Sequence, residues 1–214
     1  MLPSGVLQVV MDDPSGNANK TSDLFKAELD ALLSGIEGGT RPSGLIFLSA
    51  KRTFGVGGDI GQIMAYAGQG LGPSEADSER IKALFRRIER LGCPTVAVIE
   101  GTAAGGGWEL ALACTARFCR DDSAIKLGFP EVDFGLVPGA GGMVRLTHLL
   151  GPYRAGLLIS GATMQSPHEA LSQGLLTAVA ESRAALLALA EAWIVANPGA
   201  VQPWDRTGHA LPQG

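Results

Sequence analysis

The sequence predicts an α/β domain with a mostly parallel sheet, and three observations carry that expectation. Short β-branched apolar runs alternate with amphipathic stretches as far as Gly139, the pattern of strands crossing over through helices. One run, Pro94-Thr-Val-Ala-Val-Ile99, is apolar without interruption, as a strand covered on both faces must be. Glycine supplies 30 of the 214 residues, about twice its ordinary share, which points to backbone that turns tightly or closely approaches a ligand.

Taken in order, Val6–Met11 reads as a strand, stopped by the turn-forming Asp12-Asp-Pro-Ser-Gly16. Phe25, Leu29, Leu32, Leu33 and Ile36 share one helix face, with Ser22 or Thr21 as N-cap. Gly38-Gly39 suits a left-handed residue at that helix's C-terminal end. Leu45–Leu48 is a buried strand running into a loop over Lys51–Asp59. Ile60 to about Tyr66 is a short helix, and Ala67–Ser74 a flexible Gly/Pro-rich loop. Ile81, Leu84, Phe85, Ile88 and Leu91 form the clearest apolar stripe, with Arg86, Arg87, Glu89 and Arg90 on the other face. After the Pro94–Ile99 strand and the loop Gly101–Gly107, a helix runs through Glu109 to Ala113. Ala116–Phe118 and Ala124–Leu127 are weaker strands. Beyond Gly139 the pattern is helical over 143–150, 153–159, 167–172 and 183–195, and 197–214 resembles a linker. The chain thus divides into a core at 1–142, a helical region at 143–196 and a tail.

Composition removes several function classes. Hydrophobic residues make up 46% and charged residues 18%, as in a globular protein. The net charge is −4, so no global basic field exists for nucleic acid. Cys93, Cys114 and Cys119 are an odd, scattered set, which suggests a reducing compartment rather than a disulfide framework. The first residues lack a basic, then apolar, leader, and no apolar run approaches ~18 residues, so neither signal peptide nor membrane span is expected. A cytoplasmic protein is the expectation. Zinc-type spacings, G-x-S-x-G and a P-loop are absent, and in Gly55-Val-Gly-Gly-Asp-Ile60 the third glycine of a dinucleotide fingerprint is replaced by Ile60.

Two glycine-rich elements each join a buried strand to a helix: Phe54-Gly-Val-Gly-Gly-Asp-Ile60 and Gly101-Thr-Ala-Ala-Gly-Gly-Gly-Trp-Glu109. The first N–H groups of a helix lack internal partners, so two such junctions are able to aim two N–H groups at one oxygen. Read structurally, the same glycines serve tight packing and Asp59 is an N-cap. Glu109 follows three glycines in the first turn of its helix, and Glu131 lies in the loop Gly128–Gly142. Singly they read as dipole compensation and a loop hydrogen-bonder; as a pair beside one oxyanion hole they suit general acid/base work on water.

These segments, with Pro94–Cys114 the strongest and Phe129–Gly142 the third in order, resemble the crotonase, or enoyl-CoA hydratase/isomerase, superfamily over about Val6 to Thr177. The resemblance implies a crotonase-like spiral of ββα units with a helical C-terminal region, here shortened. It implies acyl-CoA thioester substrates, with no cofactor beyond the coenzyme A of the substrate. Gly58 and Gly106 match the residues whose N–H groups polarise the thioester carbonyl. Glu109 and Glu131 match the hydratase glutamates, the first holding and deprotonating water, the second delivering a proton to C2. The implied reaction is syn addition of water across the 2,3-double bond of a trans-2-enoyl-CoA in fatty acid β-oxidation. Ala18 and Asn19, with Asn17, fall where the family's first strand–helix loop passes the adenine and pantetheine, and Lys51 and Arg52 near the CoA phosphates. Val56, Gly57, Asp59, Ile60, Gly105 and Pro130 are further substrate positions, and Met64, Tyr66 and Trp108 candidates for the acyl pocket.

Departures from the family pattern are Glu100, where hydratases commonly carry Asn, and Phe129, where many have Gln. The early stop and Val201-Gln-Pro-Trp-Asp205 resemble the connector to the dehydrogenase domain of multifunctional β-oxidation enzymes. A homo-oligomer or a downstream dehydrogenase domain is therefore the expected partner. A Δ3-Δ2 enoyl-CoA isomerase and a non-catalytic acyl-CoA-binding domain are the alternative readings.

Overall fold

The computed structural model describes residues 1–213, less the side chains of Leu71 and Pro73. Strands β1 (Val6–Met11), β2 (Gly44–Ser49), β3 (Thr95–Ile99), β5 (Ala116–Arg120) and β8 (Ala178–Ala180) form one parallel sheet in the order β1-β2-β3-β5-β8. A second sheet, β4-β6-β7, joins β4 (Ala103–Ala104), β6 (Leu127–Gly128) and β7 (Met164–Gln165).

Period-two alternation decides what each face of the larger sheet packs against. Ile46, Leu48, Val96, Val98 and Phe118 face α8 (Arg183–Ala196) through Leu186, Ala190 and Ile194. Leu45, Phe47, Ala97 and Ile99 face the larger cluster shared with α1 (Asp23–Glu37) and α3 (Leu71–Glu89). Both faces of β2 and β3 are thereby covered, which is why their sequences read as unbroken apolar runs.

Helix α4 (Gly106–Ala113) is buried at every residue, so its last carbonyls need internal donors. Arg117 supplies them to Cys114 O at 2.6 Å and Ala111 O at 3.4 Å, and its Nε donates to Leu175 O at 2.6 Å. Burial lowers this guanidinium to about 10, and its charge complements the helix's negative end. Gln202 Nε2 completes the cap, donating to Leu112 O at 3.2 Å and Ala113 O at 2.8 Å. The segment from Gln202 to His209 is therefore docked rather than a free spacer. His209 meets His148 of α5 (Gly142–Leu150) at 3.0 Å, and Asp205 pairs with Arg86.

Several sequence expectations are corrected. Gly38 is right-handed (φ −88°), because its N–H still reaches back to Ser34 O at 3.0 Å. The loop expected over Ala67–Ser74 shrinks to Gln69-Gly70. Helix α2 (Ile60–Gly68) runs on, and α3 starts at Leu71, with Pro73 in a first turn where no N–H is required. Glu89 leaves the polar face of α3 for a buried bond to Arg145. Ala124 and Ile125 are drawn out of β6 into a turn by N–H bonds to Asp122 Oδ1 and O, at 2.9 and 3.0 Å. The C-terminal half is not wholly helical: β8 extends the main sheet beside β5. Helices α6 (Pro152–Ser160) and α7 (Pro167–Ser172) lie where expected. Among the described residues no helix is long and apolar enough to cross a membrane.

Candidate active site

The loops after β2 and β3 are laced together. Phe54 N donates to Thr102 O and Ala104 N to Gly55 O, each at 2.9 Å. The approach is so close that a Cβ on Gly107 would lie 2.4 Å from Gly55 O, which requires glycine there. This contact sets the N-terminus of α4 beside the loop that opens α2.

Thr21 orients the first of the two candidate donors. Its N–H donates to Gly57 O at 2.9 Å and its hydroxyl to the same oxygen at 3.3 Å. A trans peptide is planar, so fixing that carbonyl directs the Gly58 N–H the opposite way. The second donor is the N–H of Gly106, the first residue of α4, where a helix offers no internal acceptor. Among the described residues neither N–H has a backbone acceptor, and both glycines line one cavity of about 250 Å³.

Glu109 and Glu131 converge on the same cavity. Glu109 is fully buried, and its Oε1 accepts from Ala140 N and Gly142 N, each at 2.7 Å. Burial raises its carboxyl, while these two bonds favour the charged form and oppose the rise. Glu131 stands on a 3₁₀ turn, Glu131–Phe134, with Oε1 packed on Gly105, where a Cβ would come within 2.6 Å. Gly105 takes φ +53°, a second reason for glycine at that position. Glu131 Oε2 is buried without a partner among the described residues. Desolvation, with the Glu109 charge adding to it, pushes this carboxyl up to about 7.

A carboxylate held in that state opposes folding. The folded group binds its proton more tightly than the unfolded one, so the cost is absent below about 4.5 and complete above about 7. Glu131→Gln is expected to stabilise the protein at pH 8 by on the order of 2 kcal/mol, and by much less at pH 5. Urea unfolding at the two pH values checks this; an equal gain at both would contradict it.

Val56, Gly57, Asp59, Ile60, Gly105 and Pro130 line the cavity with the four residues above, but four other expected positions do not. Asn19 is buried, donating to Met11 O, Ser49 Oγ (2.8 Å) and Phe54 O and accepting from Asp13 N (2.9 Å), so its amide is committed to the scaffold. Trp108 is core, Ala18 lies off the cavity, and Arg52 is an exposed loop cation. Lys51 pairs with Asp12 at 2.7 Å. Asp59 caps α2 and pairs with Lys20 at 3.0 Å, as its capping reading holds. Glu100 turns to Arg183 at 3.2 Å. Met64 is exposed, while Tyr66 reaches the cavity and donates to Asp23 at 2.7 Å. Phe129 packs its ring where a Cβ on Gly142 would stand, beside the Glu109 side chain. The sequence reading missed Thr21 as a loop anchor, and Lys26, which is buried against Asp77 at 2.5 Å in the cavity wall. A lysine three and seven residues before Leu29 and Leu33 shares their apolar face, and that was the available signal.

Residues 2–202 match the family model described as enoyl-CoA hydratase/isomerase. The chain belongs to this family. Fatty acid oxidation complex subunit alpha of Idiomarina loihiensis is 34% identical over 200 residues, covering 93% of this chain and 28% of the relative. The same-named subunit of Shewanella oneidensis is 38% identical over 177 residues, 82% of this chain and 25% of its own. The chain thus spans about a quarter of the length of these relatives. Among solved structures, an enoyl-CoA hydratase of Bacillus anthracis is 30% identical with TM-score 0.78, over 91% of this chain and 74% of that one. An enoyl-CoA hydratase of Geobacillus kaustophilus superposes with TM-score 0.82 at 26% identity, over 91% and 72%. The family's crotonase fold is the one described above.

Proposed function

We propose that the chain is an enoyl-CoA hydratase that adds water syn across the 2,3-double bond of a trans-2-enoyl-CoA. One observation carries this reading: two main-chain donors without a backbone acceptor among the described residues, Gly58 and Gly106, share one cavity with two burial-shifted carboxylates. Attack at C3 moves charge onto the thioester oxygen, where each N–H donor is worth about 2.7–4 kcal/mol. The carboxylates divide the proton work. Glu109, held by two N–H donors, is the base that takes a proton from water. Glu131, with an unpartnered oxygen and a carboxyl raised to about 7, is the acid that protonates C2. Coenzyme A enters with the substrate, and no separate cofactor is invoked.

The test is product analysis. Crotonyl-CoA is expected to yield 3-hydroxybutyryl-CoA; exclusive interconversion of 3- and 2-enoyl-CoA would instead establish an isomerase, and binding without turnover a non-catalytic domain.

Because the relatives are named as fatty acid oxidation subunits several times longer, we place the activity in β-oxidation, beside a dehydrogenase domain or a second copy. Val144, Leu157 and Tyr153 leave apolar surface exposed on α5 and α6, which favours association. Sedimentation of the chain at high concentration is expected to show self-association; a stable, fully active monomer would contradict it.

A further inference from the structure

We propose that the buried Arg145–Glu89 pair is a positioning device for Glu109, acting through the loop at Ala140. The proposal rests on Glu109 being a reacting carboxylate.

Arg145 stands on α5 and Glu89 at the end of α3, with side chains 7% and 2% exposed. The guanidinium uses two edges. Nε donates to Glu89 Oε1 at 2.5 Å, and Nη1 donates to Ala140 O at 2.7 Å. Glu89 Oε2 is taken by Arg86 Nη1 at 2.5 Å, so both of its oxygens are committed. The carbonyl that Arg145 grips belongs to the peptide between Ala140 and Gly141. The peptides on either side of it carry the N–H groups of Ala140 and Gly142 that hold Glu109 Oε1. Holding the middle peptide therefore restrains both donors, each of which is joined to it through a single Cα.

The loop is threaded between the two side chains with no room to spare. A Cβ on Gly141 would lie 2.6 Å from Arg145 Nη1, and one on Gly142 2.7 Å from Glu109 Cγ. Burying an ion pair costs desolvation that well-packed apolar residues would avoid, so stability alone does not account for it. The planar fork of an arginine serves two acceptors in fixed directions, whereas a lysine ammonium is a single centre with rotatable donors. The charged groups acting on Glu109 are Glu131 from the 3₁₀ turn, Arg145 from α5 and Lys82 from α3, with Glu89 of α3 paired to Arg145.

Two variants separate hold from charge. Arg145→Lys keeps a cation beside Glu109 but loses the fork. Arg145→Met with Glu89→Leu removes the pair with no net charge change and fills its place with apolar side chains. Two readouts apply: carboxyl NMR titration of Glu109 in the unliganded protein, and kcat and KM for crotonyl-CoA hydration. In both variants Glu109 is expected to titrate at higher pH, its two N–H donors being loosened. The kcat is expected to fall about 10- to 100-fold with KM nearly unchanged. Native titration in the folded Arg145→Lys variant, whatever the double variant shows, or a rate loss that only tracks the folded fraction, would overturn the proposal. The NMR readout needs no turnover. A failure of the hydratase reading would show instead as an absence of hydration in the native chain, with the Glu109 titration still reporting on Arg145.

Discussion

Glu109→Gln is expected to lower crotonyl-CoA hydration by about 10²- to 10⁴-fold, and Glu131→Gln by a similar factor, with coenzyme A thioester binding nearly retained. Gln keeps the volume and an acceptor for the Ala140 and Gly142 N–H groups, so the loop has no reason to move. What is lost is the ability to take a proton from water. At Glu131 the loss is the proton itself, since an amide is no acid. The pH dependence follows with its sign. In the proposed mechanism hydration needs Glu131 protonated and Glu109 ionised, so kcat/KM should decline above about 7 as Glu131 loses its proton. It should decline on the acid side as Glu109 gains one, the two steps belonging to the coupled pair. Near-native turnover in either variant would remove that residue from the proton transfers.

Gly106→Pro is the second large effect. Gly106 is the first residue of α4, a helical position where proline fits and no helix hydrogen bond is forfeited. The substitution therefore deletes one donor while leaving the helix its start. The obstacle is Thr21, whose Oγ1 would lie 2.7 Å from a Cβ at Gly106. The variant is best made with Thr21→Ala, and Thr21→Ala alone is the reference. Relative to that reference, turnover should drop about 10²- to 10³-fold, the worth of one oxyanion donor, while product binding persists. Unchanged turnover in the folded protein would exclude the Gly106 N–H from the site.

Much of this was legible in the residues. The strands at Val6–Met11, Leu45–Leu48 and Pro94–Ile99, the Ser22 cap and the stripe from Ile81 to Leu91 follow from local periodicity, which the structure obeys. The two glycine-rich junctions were visible because a strand–loop–helix turn with exposed N–H groups favours glycine, whereas the two glutamates were picked out as a pair only through the family resemblance, since spacing alone does not bring them together. Less legible were elements too short to have a period. The strands β4, β6, β7 and β8 run two or three residues and exist only through pairing with distant partners. Glu89 read as solvated because its spacing shares the arginine face, whereas its partner Arg145 lies 56 positions away. The tail showed no pattern, yet Gln202 caps α4 through a side-chain amide, a contact no periodicity encodes.

The central claim is that this cavity adds water to C3 of an enoyl thioester. Incubating the chain with crotonyl-CoA in oxygen-18 water and reading the product by mass spectrometry tests it most directly. The account predicts 3-hydroxybutyryl-CoA carrying the label in its new hydroxyl, formed by the native chain about 10²- to 10⁴-fold faster than by Glu109→Gln. Recovery of unlabelled crotonyl-CoA, or labelled product formed equally by both proteins, would contradict it.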